Sequence, residues 1–131
     1  MNVFFDVDGT IAALRPPHSV RPGCLELFRL LKAEGRRVFL WSGAGVEHAR
    51  RFARLHGLDK YLDGYYEKGA RITQGDEPHV CIDDHPYDIP LGVVGVVVEP
   101  FLFPSGEAED NLVRAVRSFL QELNLPGEDM A

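Results

Sequence analysis

The feature that most constrains the fold is the segment Val3-Phe4-Phe5-Asp6-Val7, apolar at every position but Asp6 and then broken by Asp8-Gly9. A strand with one wet face alternates apolar and polar residues; a strand apolar at successive positions is covered on both faces, as in a parallel sheet. Arg37 to Trp41, Val80 to Ile82 and Val93 to Val98 repeat the pattern, and each apolar stretch but the last runs into Ser-Gly or Asp-Asp. Helical periodicity lies between them. After Pro22-Gly23, Leu27, Leu30 and Leu31 fall on one helix face that stops at Glu34-Gly35, and Val46 to His56 reads as a second helix ending at Gly57. Glu107 to Leu123 is a third, with Leu112, Val116, Phe119, Leu120 and Leu123 on one side. Tyr61 to Tyr66 fits neither period. Alternating strands and helices of this kind predict an α/β fold, a three-layer Rossmann-like domain around a central parallel sheet.

With 131 residues the chain has room for one core. We expect a single domain over residues 1–125 and a flexible tail over 126–131. A net charge of −6 argues against non-specific binding to nucleic acid or to an anionic membrane, which need a basic surface. Arg50, Arg51 and Arg54 then read as a solvated helix face. The longest apolar run is far short of the roughly 20 residues that a membrane span requires. The first residues lack the basic start of a signal peptide, so the cytoplasm is the expected location. Cys24 and Cys81 have no metal or disulfide spacing and are expected to be buried thiols.

In a parallel α/β sheet, ligands bind beyond the carboxyl ends of the strands. Five carboxylates fall there: Asp6 and Asp8 after the first strand, Asp83, Asp84 and Asp88 after the third clear one. Like charges crowded into one site raise each other's pKa unless a cation offsets them. Oxygen ligands without organised His or Cys favour Mg²⁺, which keeps waters and completes its shell with substrate phosphate. His48, His56, His79 and His85 share no spacing and are not expected to be ligands. At the same edge, Ser42 opens a turn with Gly43 where a hydroxyl and main-chain N–H groups can hold a phosphoryl oxygen, and Lys68 supplies a point charge for that anion. An Asp at a strand end beside a metal is a competent nucleophile for phosphoryl transfer. A second Asp two residues on can protonate the leaving group and then take a proton from water.

Together these residues carry a family resemblance. Asp6-Val7-Asp8-Gly9-Thr10 resembles the first motif of the haloacid dehalogenase (HAD) superfamily, Ser42 the second, Lys68 the third, and Ile82-Asp83-Asp84 with Asp88 the fourth, in the family's order. The resemblance implies a HAD-like fold, with Asp6 as nucleophile and metal ligand, and Asp8 as acid/base whose main-chain carbonyl also reaches the metal. It implies that Thr10 steadies the loop, Ser42 binds phosphoryl and Lys68 offsets charge, with Lys60 as the alternative lysine. The metal set is Asp6, Asp8, Asp83, Asp84 and Asp88, with either Asp83 or Asp84 touching the ion directly. Asp8 points to the phosphatase branch: dehalogenating relatives lack that residue, and the ATPase branch has Lys there. The intervals between motifs hold only a crossover helix and loops, so no cap domain is expected.

An uncapped site implies a phosphorylated substrate that is a macromolecule or a bulky metabolite, or closure by another subunit of a homo-oligomer. Leu14 to Val20 falls where the family has a flap; Arg15 and His18 there either contact substrate or belong to a solvated loop. Phe101 and Phe103, between Pro100 and Pro104, would line a rim, meet a second copy or lie under the last helix. Two other readings are a receiver-like phospho-accepting domain, disfavoured because its acidic pair comes first in the chain, and a non-catalytic binding or scaffold module on the same fold.

Overall fold

The computed structural model of the chain describes residues 1–104 and 111–123. Five strands, β1 (Asn2–Asp6), β2 (Arg37–Ser42), β3 (Gly64–Glu67), β4 (Val80–Asp83) and β5 (Val94–Val97), form one sheet in the order β3-β2-β1-β4-β5. Every pairing is parallel. Helices α1 (Cys24–Ala33) and α2 (Val46–Leu55) cross from β1 to β2 and from β2 to β3, and α3 (Asn111–Leu123) follows β5. The fold is a three-layer Rossmann-like α/β domain. The expected tail at 126–131 lies outside the described residues, as do the first residues of the expected last helix.

Strand period assigns the two faces. Val3, Phe5, Val38, Leu40, Val80 and Ile82 pack with α1, α2 and α3 in the larger core. Phe4, Phe39, Trp41 and Cys81 point the other way and are covered by Tyr66, Ile72, Ile89 and Val93. Those last three belong to the connections into and out of β4, so the third layer is built from loops and a 3₁₀ turn, Pro86–Asp88, rather than from α-helices. Right-handed crossovers account for this. The chain steps from β1 to β2 to β3 with its helices on one face, then jumps back across β1 to β4, which carries the connection over the opposite face.

The doubtful segment Tyr61 to Tyr66 divides into a 3₁₀ turn, Asp59–Tyr61, and edge strand β3. Gly64 lets the strand lie close to β2: a Cβ there would stand 3.1 Å from the Phe39 ring. Gly23, at φ 84°, starts α1 in a left-handed conformation and lies so close to Val113 that a Cβ would collide with its side chain, which brings α3 against α1. Both cysteines are free and buried. No helix among the described residues is long and apolar enough to cross a membrane.

Candidate functional site

The strand order reverses at β1, so a crevice opens between the carboxyl ends of β1 and β4. Asp6 ends β1 and Asp83 ends β4. Asp6 shares the parity of Phe4, and Asp83 that of Cys81, so both carboxylates rise on the loop-covered face. Asp84 follows in the loop. Asp6, Asp83 and Asp84 are all buried, and each offers an oxygen within 4.8 Å of the others.

Lys68, just past β3, reaches across β2 to this group. Its Nζ lies 2.7 Å from Asp6 Oδ1, 2.7 Å from Asp83 Oδ2 and 3.1 Å from Asp88 Oδ2. Its main-chain N–H donates to the Ser42 carbonyl at 3.1 Å, so β2 sets where the lysine starts. Lys60 instead sits over the Tyr61 ring. Asp83 Oδ1 accepts the His85 N–H at 2.9 Å, which leaves each of its oxygens with a donor.

Thr10 joins the two sides of the crevice. Its hydroxyl oxygen is 2.7 Å from Asp6 Oδ2 and 3.1 Å from Asp84 Oδ1, and it accepts the Asp84 N–H at 3.0 Å. A hydroxyl has one proton, so it donates to one carboxylate at a time, and the shorter contact is to Asp6. The loop that carries Thr10 is wound around Val7, whose carbonyl accepts the N–H groups of Thr10, Ile11 and Ala12 at 3.2, 3.0 and 2.9 Å. Gly9 stands at φ 86°, and a Cβ there would lie 2.5 Å from Asp84 Oδ2. The loop therefore approaches the acid group with bare backbone. The buried Arg21 holds the loop from behind through Nη1 to the Thr10 carbonyl at 3.2 Å.

Burial and the neighbouring Asp83 charge push the Asp6 carboxyl up to about 7, with Lys68 opposing them. Asp83 is raised as well, chiefly by burial. For Lys68, burial favours the neutral amine, but its bonds to Asp6 and Asp83 outweigh that and raise it. One ammonium thus serves a group of buried carboxylates that exceeds it in charge. The donors are hard oxygens, buried and short of positive charge, which is the chemistry that suits Mg²⁺.

The remaining expected residues divide. The Asp8 side chain turns away from the acid group to His48 at the start of α2, with Nε2 at 2.9 Å from Oδ2 and 3.1 Å from Oδ1. Asp88 meets the site through Lys68, and neither Asp8 nor Asp88 belongs to the close triad of Asp6, Asp83 and Asp84. Ser42 is buried, and its hydroxyl accepts the Ala44 N–H at 3.0 Å, tightening the turn that begins α2. Gly43 is exposed at that turn, with nothing within 4 Å of where a Cβ would be. Arg15 is exposed and lies over the Phe103 ring, 6.0 Å from its centre, while Phe101 is buried. His18 takes a left-handed φ of 58°, with Nδ1 2.9 Å from the Ala13 carbonyl.

His48 and Arg21 escaped the sequence reading. Their partners lie 40 and 11 residues away and no motif links them, though the place of His48 in the first turn after Ser42-Gly43 was a usable signal.

The arrangement defines an α/β protein with an acidic, lysine-bridged crevice at the topological switch point of its sheet. No family model matches the chain, and no curated protein matches it. Among solved structures, an uncharacterized protein from Listeria monocytogenes serotype 4b aligns over 95% of this chain and 99% of that one, with a TM-score of 0.61 and 13% identity. At that identity the likeness concerns the fold.

Proposed function

We propose that the chain is a Mg²⁺-dependent phosphatase of the haloacid dehalogenase type, acting on a phosphomonoester through a phospho-Asp6 intermediate. The observation that carries the reading is Lys68 Nζ at 2.7 Å from both Asp6 and Asp83, beside Asp84, in one crevice. Asp6, Asp83 and Asp84 would hold the ion, with Asp88 adjoining through Lys68. Bound there, Mg²⁺ supplies positive charge that favours ionised Asp6 and draws off charge from the phosphoryl oxygens.

The chain's own groups do the rest. Asp6 attacks phosphorus, the bond from phosphorus to the alcohol oxygen breaks, and protonated Asp8 gives its proton to that oxygen. Water then attacks the phospho-Asp6 phosphorus, the acyl phosphate bond breaks, Asp8 takes the water's proton, and phosphate leaves with Asp6 restored. Lys68 offsets the charge on the phosphoryl group, and Thr10 holds Asp6 by its free oxygen. Gly43 and the N–H groups of the turn after Ser42 face the incoming phosphate. His48 holds Asp8 toward the side from which the alcohol departs. The buried free thiols Cys24 and Cys81 suit a reducing cytoplasm.

The test is phosphate release from an aryl phosphate with and without Mg²⁺, beside Asp6→Asn. Release that needs both the ion and Asp6 is expected. Release that survives in Asp6→Asn overturns the reading, and a phospho-Asp6 that persists for minutes would favour the receiver-like alternative.

A further inference from the structure

Next to the acid group, on the side to which Asp8 turns, lies a pocket of about 230 Å³ between the Pro17-His18 loop and α2. Asp8 and His48 form its inner end, Phe52 and Leu55 its apolar wall, and Arg51 its lip. An apolar cavity of about 150 Å³ accepts a benzene ring, so this one has space for a single ring with substituents. His56 also lines it. Its ring packs 4.5 Å from that of Phe52, and its buried Nε2 has no hydrogen-bond partner among the described residues.

Charge further narrows the occupant. Asp8 is hydrogen-bonded to His48, whereas the exposed Arg51 makes no ion pair among the described residues, and the groove beyond it, which Glu47 also lines, continues to Arg54. An unpaired guanidinium at the rim of an apolar slot fits a carboxylate or phosphate carried on the far side of the ring.

We propose that this pocket binds a single aromatic ring bearing an anionic group, and, resting on the phosphatase reading, that this ring is the alcohol half of the substrate. The ring packs between the Pro17-His18 loop and Phe52, the anionic group meets Arg51, and the ester oxygen lies toward Asp8. Leu55 is 76% exposed, so it can be replaced without disturbing the core.

Two measurements on the Mg²⁺-loaded chain test this. The first compares kcat/KM for 4-carboxybenzyl, benzyl and ethyl phosphate. The ring is expected to raise kcat/KM over ethyl phosphate by about a hundredfold, in the range by which apolar pockets discriminate, and the carboxylate to raise it again. Leu55→Asp should shrink the ratio of benzyl to ethyl, and Arg51→Gln the ratio of 4-carboxybenzyl to benzyl. The second follows amide NMR shifts on adding 4-(hydroxymethyl)benzoate, which has no phosphate. Shifts at His18, His48, Arg51 and Leu55 are expected, weakened by either substitution. Equal kcat/KM for the three esters, with no shifts at these residues, overturns the inference while the phosphatase reading stands. Shifts at these residues without phosphate release from any ester overturn the phosphatase reading and leave the ring site in place.

Discussion

At the scale of single residues, Lys68 decides whether the acid group can exist. Three carboxylates share its ammonium, and two of them, Asp6 and Asp83, are buried. Lys68→Met strands those charges. Removing one partner of a buried ion pair costs about 3–5 kcal/mol, and urea unfolding at pH 8 without divalent ions should show a loss of that order. At pH 5 the loss should be smaller, because Asp6, pushed up to about 7 by burial and the Asp83 charge, is then protonated and needs no counter-charge. An equal loss at both pH values would mean that Lys68 acts only as packing. Thr10→Val tests the other side of the crevice. It keeps the shape but removes the hydroxyl shared by Asp6 and Asp84, leaving the Asp84 N–H without its acceptor. A cost of about 1–3 kcal/mol is expected for the buried groups left unpaired, together with weaker stabilisation by Mg²⁺ in a thermal melt.

At the scale of elements, the loop from Val7 to Ala12 sets the distance between the first strand's acids and Asp84. Gly9 at φ 86° has Asp84 Oδ2 where a Cβ would be. Gly9→Ala adds the left-handed penalty, about 1–2 kcal/mol, and pushes Asp84 out of line. A displacement of about 1 Å in a reacting group can cost a hundredfold in rate, so phosphate release should fall by about that factor while the circular dichroism spectrum is unchanged. Retained activity would show that Asp84 need not lie against the loop. What could be read from residues alone follows the same divide between elements. β1, β2 and β4 were legible because both of their faces are buried, so their apolar residues run consecutively. β3 was not, because an edge strand with a glycine and half-buried tyrosines has neither period. The acids were legible as strand-end residues, and Lys68 through its place in the order of the motifs. The turn of Asp8 to His48 was not, because nothing in local spacing says which of two neighbours a side chain will choose when one is a crowded acid group and the other an imidazole.

At the scale of the whole molecule, the chain places its least stable charges at the switch point of the sheet, and this couples folding to protons and, on the proposed reading, to Mg²⁺. In the folded chain Asp6 holds its proton up to about 7, whereas an ordinary Asp, at 3.8, has released it. Over that interval the unfolded chain binds fewer protons than the folded one, so stability falls as pH rises from about 4 to about 7 and levels above. Comparison with Asp6→Asn isolates this contribution: without divalent ions the variant should gain on the wild type across the interval and hold a constant advantage above it. Mg²⁺ needs the same carboxylates ionised, so it competes with the proton, and its stabilisation should be slight at pH 5 and large at pH 8. At a hundredfold excess over Kd the gain is about 2.7 kcal/mol, which differential scanning calorimetry resolves easily. The double variant Asp83→Asn with Asp84→Asn should lose most of that gain at pH 8. A Mg²⁺ response that is equal at both pH values, or that survives in the double variant, would place the ion away from the crevice and remove the electrostatic reason for the crevice to be acidic.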